Sequence, residues 1–166
     1  SIKKLSDLNV DEAYRLTFSQ SFCYFGHTVT ISKKGDSISL QYLEYLLPGF
    51  DGHTAKFYQE GKEYNVDSNY TSTKRIEKRL KWEEWRDLTR ALNEADFWGL
   101  KYQSTHPMVV LDGYSMRIDS YSRNSEYGSQ IHSVVRHSPQ LKELQYLLTL
   151  FFKLSGQKTM CEWVNQ

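Results

Sequence analysis

The sequence predicts an α+β fold, an antiparallel β-meander packed against two amphipathic helices at about 82–98 and 139–154. Three observations carry this prediction. Apolar residues alternate in short runs through the first half of the chain, which is the period of a half-buried strand. Two longer windows switch to steps of three and four, which is the period of a helix. Asp112-Gly113 stands between alternating runs, and Asp-Gly there marks a tight hairpin because both residues tolerate positive φ. Several strands, a helix, about three strands and a helix, in that order, make an α+β arrangement.

The chain has 166 residues, the size of one domain, and 1–166 is taken as a single unit. Such a domain buries roughly 70% of its unfolded surface. Residues 1–10 alternate poorly and are expected to be a loose lead-in. Strands come next. In "AYRLTFSQ", Tyr14, Leu16 and Phe18 point one way and Arg15, Thr17 and Ser19 the other. "HTVTISK" repeats the pattern with Val29 and Ile31, and "KKGDS" turns the chain. In "ISLQYLEYLL" the register of Ile38, Leu40 and Tyr42 shifts by one to Leu43, Tyr45 and Leu47, which predicts a bulge or a strand end. Pro48, Gly49, Asp51 and Gly52 make a loop, and "TAKFYQEGKEYNV" a hairpin about Gly61. "TKRIEKRL" is an exposed edge strand, with a short helical turn as the alternative.

The first helix is "WEEWRDLTRALNEADFW". Trp82, Trp85, Leu88, Leu92 and Ala95 form its stripe, acidic residues fill its first turns, and Gly99 stops it. "MVVL" and "YSMRIDSYS" then flank the Asp-Gly turn, "SRNSEYGS" makes a second turn, and "QIHSVVRH" returns. Ser138 as N-cap, Pro139 in the first turn and Gly156 at the end frame the second helix. Its apolar face holds Leu141, Leu144, Leu147, Leu148, Phe151 and Leu154. Met160 and Trp163 are expected to dock the tail, 157–166, onto the body.

The same residues argue against several functions. Net charge is +1, without the basic surplus that phosphate contacts require, so no nucleic-acid partner is expected. The one dense basic run, "KRIEKRLK", contains Glu77 and is followed by Glu83 and Glu84, as in a solvated face. The longest apolar run, "LLTLFF", is far too short to span a membrane. There is no Gly-x-Ser-x-Gly elbow and no phosphate-cradling glycine motif. Neither His-Glu-x-x-His nor Cys-x-x-Cys occurs, and Asp51 with His53 in "FDGH" reads as a loop with a stray histidine. No metal, cofactor or catalytic set is therefore expected. Cys23 and Cys161 are either two buried thiols or one disulfide joining the first strands to the tail. The chain begins at Ser1 without methionine, as expected of a processed or truncated product, cytoplasmic or exported with its signal removed.

One polar patch is a candidate site. Counting from the Asp-Gly turn, Tyr114, Met116 and Ile118 share the core face, and Arg117 and Asp119 the other. If Ile131, Ser133 and Val135 also take the core face, His132 and Arg136 join Arg117 and Asp119 outside. Cross-strand charge pairing is the simpler account, worth about 0.2–1 kcal/mol per pair. Asp112 belongs to the turn, so it does not pair with Asp119 as acid and base.

"DGYSMRIDS", "IHSVVRHSP", "YRLTFSQSF" and "ADFWGL" resemble, in the same order, segments of a group of uncharacterised small bacterial α+β proteins. The chain departs from the group's pattern at Met116, in place of a tryptophan, and at His137, in place of another aromatic. The resemblance implies the architecture and a bacterial origin and supplies no mechanism.

The expected function is a non-catalytic protein-binding module. One concrete form is an immunity-type protein that neutralises a toxin by occluding it. Abundant tyrosine, 12 residues, suits such an interface, with Tyr24, Tyr58, Tyr70, Tyr121 and Tyr127 as anchors. The alternative is an enzyme or small-ligand binder using Arg117, Asp119, His132 and Arg136 on the sheet face.

Overall fold

β1, Glu12–Gln20, is the strand around which the sheet is laid out. It pairs antiparallel with β2 (Phe25–Lys34) on one side and β5 (Tyr114–Ser125) on the other. β2 turns at Gly35 (φ +55°) into β3 (Ser37–Leu46), and β4 (Ser72–Arg79) pairs along the far side of β3. β5 pairs with β6 (Gly128–His137), giving one antiparallel sheet of order β4-β3-β2-β1-β5-β6. Helices α1 (Trp82–Glu94) and α2 (Lys142–Ser155) cover one face. A computed structural model describes residues 3–20, 23, 25–46, 72–103, 113–125 and 128–158. The expected hairpin about Gly61, the "MVVL" strand, the Asp112 turn residue and the docking residues Met160 and Trp163 lie outside these.

The core follows the alternation in the sequence. Tyr14, Leu16 and Phe18 of β1 meet Val29 and Ile31 of β2, Ile38, Leu40 and Tyr42 of β3, and Met116 and Ile118 of β5. Against them lie Trp85, Leu88, Ala91 and Leu92 of α1, and a broad face of α2. Leu144, Leu147, Leu148, Leu150, Phe151, Phe152 and Leu154 are all buried there. Each contributes about 1.5–3 kcal/mol by leaving water, so α2 is held by packing rather than by helix propensity.

Three expectations change. Leu43 and Tyr45 do not mark a bulge in β3, whose pairing with β2 is unbroken from Phe25–Leu46 to Lys34–Ser37. They are buried on the opposite face from Tyr42, because β3 is covered on both sides. The irregularity lies instead on β4, where Lys74 and Ser72 face Glu44 and Tyr45 and Thr73 is extra. α1 ends at Glu94 rather than 98, since Asp96 is left-handed (φ +48°) and the chain tightens into a 3-10 turn, Phe97–Gly99. α2 begins at Lys142 rather than 139. Ser138 takes φ +39° and its hydroxyl accepts from the Tyr114 amide (3.1 Å) instead of capping the helix. Gly156 closes α2 at φ +74°, as expected.

The face away from the helices is also covered. Leu5, in a 3-10 turn (Leu5–Asp7), is 2% exposed and packs with Ala13 and Tyr121, joined by Leu8 and Val10. The segment expected to be a loose lead-in is thus anchored on the sheet. The two outer strands differ. β4 carries exposed charged side chains, whereas on β6 the Val135 amide donates to the Tyr102 carbonyl at 2.7 Å.

Two outcomes follow from these contacts. Gly26 faces Tyr45 across the β2–β3 pair, and a Cβ there would come within 2.5 Å of the buried Tyr45 ring. Gly26→Ala is expected to cost about 1–3 kcal/mol in urea unfolding, as other overpacked core sites do. His27 has its Nδ1 2.9 Å from the Tyr42 hydroxyl and lies against Phe18 and Phe152. Burial lowers its pKa, with Glu44 pulling partly upward, and burial lowers His137 too. Both take up a proton less readily in the fold than in the unfolded chain, where histidines protonate below about pH 6.5. Stability is therefore expected to fall as pH drops from about 6.5, with a shallower fall in His27→Gln. Urea midpoints across pH 5–8 at constant ionic strength check this.

Candidate functional site

On the face away from α1 and α2, the strand register sets side chains in lateral rows. The middle row crosses all six strands as Glu77, Gln41, Thr30, Arg15, Asp119 and Ser133. Its members hydrogen-bond sideways. Gln41 Nε2 donates to Glu77 (3.0 Å), Arg15 Nε to Thr30 Oγ1 (2.8 Å) and Ser133 Oγ to Asp119 Oδ1 (2.5 Å). The next row brings Thr17 and Arg117 opposite one another. The Thr17 hydroxyl has no hydrogen-bond partner among the described residues.

Arg117 and Asp119 stand two apart on β5 and so share this face, as the sequence predicts. Arg117 Nε lies 2.8 and 3.1 Å from the two Asp119 oxygens. Both residues are buried, at 1% and 3% exposure. Burial holds the Asp119 carboxyl above the usual carboxylate range, against the opposing pull of Arg117, Ser133 and Arg15. Arg117 also donates to the Tyr102 hydroxyl (3.2 Å), whose ring lies 5.6 Å from the guanidinium. The pair is therefore enclosed and fully engaged, which suits structure better than proton transfer.

His132 and Arg136 are not on this face. Val135 pairs with Arg117 and Ser133 with Asp119, and directly opposed residues point the same way. His132, Val134 and Arg136 thus face the helix side, and the expected four-residue patch is divided by the sheet. The adjacent valines Val134 and Val135 leave the parity open in the sequence, because either one buries a valine. Here both are buried, while Ile131 is 50% exposed.

On their own side, His132 and Arg136 tie down a connection. His132 Nε2 donates to the Phe97 carbonyl at 2.8 Å, and its ring meets Phe97 edge-on at 4.9 Å. Arg136 donates to the carbonyls of Lys101 and Tyr102, each at 3.1 Å. Both hold the 97–102 segment against β6. Burial lowers the Arg136 pKa. Among the expected tyrosine anchors, Tyr121 is 5% exposed beneath Leu5, so its ring cannot serve as a surface anchor. Tyr24, Tyr58, Tyr70 and Tyr127 lie outside the described residues.

A different set of aromatics reaches solvent. Trp82 is 42% exposed and Trp98 47%. Contacts join them into one strip. Lys33 Nζ sits 5.8 Å from the Trp82 ring and 5.6 Å from Trp85. Trp85 lies 5.7 Å from Tyr14, and Tyr14 lies 6.1 Å from Trp98. The sequence held a hint of this. At about 100° per residue Trp82 falls at the rim of the α1 stripe rather than its centre. Trp98 follows Phe97 directly, and only one of two neighbouring rings can face inward; Phe97 is fully buried.

Neither protein-family models nor curated proteins give a match to this chain. Among the described residues no group of three His, Cys, Asp or Glu could hold a metal ion. No helix there is long and apolar enough to cross a membrane. Cys23 is disulfide-bonded, and Cys161, the other cysteine of the chain, lies outside the described residues.

If the Arg117–Asp119 pair is structural, Asp119→Asn strands a buried guanidinium. Loss of about 3–5 kcal/mol is expected in chemical denaturation. Arg117→Met with Asp119→Leu is expected to cost clearly less than the sum of the single changes.

Proposed function

We propose that the protein is a non-catalytic protein-binding module whose contact surface is centred on Trp82 and Trp98. The observation that carries this reading is the aromatic strip: two half-exposed indoles linked through Lys33, Trp85 and Tyr14. Tryptophan and tyrosine dominate binding energy in interfaces, especially where packing beneath already fixes their rotamers. Trp85 and Tyr14 are buried and supply that rigid base. Charged groups border the strip. Lys33 lies 3.7 Å from Glu12, and Arg86 lies 3.6 Å from Glu83. An apolar centre with a polar rim is the usual anatomy of a standard interface of about 1,200–2,000 Å².

The division of the sheet-face residues adds support. Arg117, Asp119, His132 and Arg136 are each held by internal partners, so the chain's polar residues there serve its own fold. An immunity-type protein that neutralises a toxin by occlusion is the form of this reading that suits a small bacterial chain, the origin implied by the resemblance above. The disulfide at Cys23 is in keeping with an oxidising compartment, and hence with export.

Affinity capture from the source organism is expected to recover one stoichiometric protein. Trp82→Ala and Trp98→Ala should each weaken that complex about tenfold or more, with thermal midpoints near that of the parent. Capture of no stoichiometric partner, or of one indifferent to both changes, would falsify this reading.

A further inference from the structure

We propose that the free edge of β4 is a docking site for an extended, acidic segment of another protein, taken up as an added antiparallel strand. β4 stands at one side of the sheet, and all of its residues but the half-buried Ile76 are exposed.

The backbone of β4 has a row of groups turned away from β3. The Leu80 amide donates to the Ile38 carbonyl at 3.0 Å, and the register that sets Ser39 opposite Arg79 sets Ile38 opposite Leu80. In an antiparallel ladder, opposed pairs that bond to each other alternate with pairs whose backbone groups point outward. Lys78 and Ile76 therefore bond toward β3, opposite Leu40 and Tyr42. Arg79, Glu77 and Arg75 turn their amides and carbonyls to the free side. No hydrogen bond from the described residues reaches these outward groups. Such a row is what a strand-adding segment bonds to, and the side chains flanking it select the sequence.

Charge chooses the occupant. Lys74, Ile76 and Lys78 share the face of Leu40 and Tyr42, and Arg75, Glu77 and Arg79 take the other. Glu77 is already held by Arg75 and Gln41. Lys78 and Arg79 have no ion-pair partner among the described residues. Opposite charges set across a ladder attract, and like charges repel. A partner strand with carboxylates across from Lys74, Arg75, Lys78 and Arg79, and an apolar residue across from Ile76, matches β4 on both faces. The edge shares no residue with the Trp82–Trp98 strip, so it stands or falls independently of the contact surface proposed above.

The test is a two-dimensional ¹H–¹⁵N titration of the full chain with a blocked synthetic peptide, Glu-Glu-Thr-Val-Glu-Glu. Run antiparallel, it sets threonine across from Glu77 and valine across from Ile76. Saturable shifts are expected at the Arg75, Glu77 and Arg79 amides, at about millimolar peptide or below. The peptide with lysine for glutamate should bind at least about tenfold more weakly. N-methylation of its threonine, whose amide faces the Glu77 carbonyl, should abolish binding while leaving every charge in place. Glu77→Pro removes the outward amide without touching a bond to β3, a placement that outer strands accept. It also removes a carboxylate, which strengthens any purely electrostatic contact, so weakening of about tenfold or more reports backbone pairing. The N-methyl peptide decides the same point on the unaltered chain. The proposal is overturned if the acidic peptide gives no saturable shifts up to about 10 mM, or if the shifts fall away from β4. It is equally overturned if the lysine or N-methyl peptide binds as well, or if sedimentation shows β4 occupied by a second copy in a dimer that Glu77→Pro abolishes.

Discussion

The buried ion pair of Arg117 with Asp119 sets the conditions for much of the structure around it. Two charges removed from water are tolerated only when their remaining hydrogen-bonding capacity is also filled. Ser133 fills part of it from β6 and the Tyr102 hydroxyl another part from the connection after α1. Tyr102 can stay in place only if its own backbone is fixed, and Val135 and Arg136 hold its carbonyl. His132 fixes the turn just before it, at Phe97. Residues on opposite faces of the sheet thus cooperate in one task. Arg117 and Asp119 do not share a pocket with His132 and Arg136, yet the pair depends on the segment that those two residues secure.

Wherever one face of a strand dominates, the fold is legible in the sequence. Tyr14, Leu16 and Phe18, then Val29 and Ile31, then Tyr114, Met116 and Ile118 fix the parity of β1, β2 and β5 without ambiguity. The charged run of β4 identifies itself as an outer strand, and Gly156 as the end of α2. Legibility fails where both faces are buried. Leu43 and Tyr45 look like a slip in register when they are simply the second face of β3. Val134 and Val135 satisfy either parity, and the register takes the one that turns His132 and Arg136 to the helix side. Ser138 has the right chemistry for a helix cap, but a positive φ and the Tyr114 amide claim it first. The exposure of Trp98 depends on the left-handed turn at Asp96, which no local periodicity announces.

The two faces of the sheet differ in chemical character for one reason. Helices α1 and α2 bring a large apolar surface to their side, so spare aromatic area collects at the margin of that layer, at Trp82 and Trp98. On the other side, among the described residues, a short apolar segment around Leu5, Leu8 and Val10 packs on Ala13 and Tyr121. Rows of hydroxyl, amide and guanidinium groups are left there to satisfy one another.

The unequal outer strands also limit how another polypeptide can engage the backbone. A chain that binds by extending a sheet needs a free row of amides and carbonyls. Along β6 that row is already interrupted by the 101–102 segment, fastened through Val135 and Arg136. β4 is flanked by Lys74, Arg75, Lys78 and Arg79, with Glu77 the single opposing charge. Among the described residues, the row left open lies along β4, where those flanking charges favour segments of acidic character.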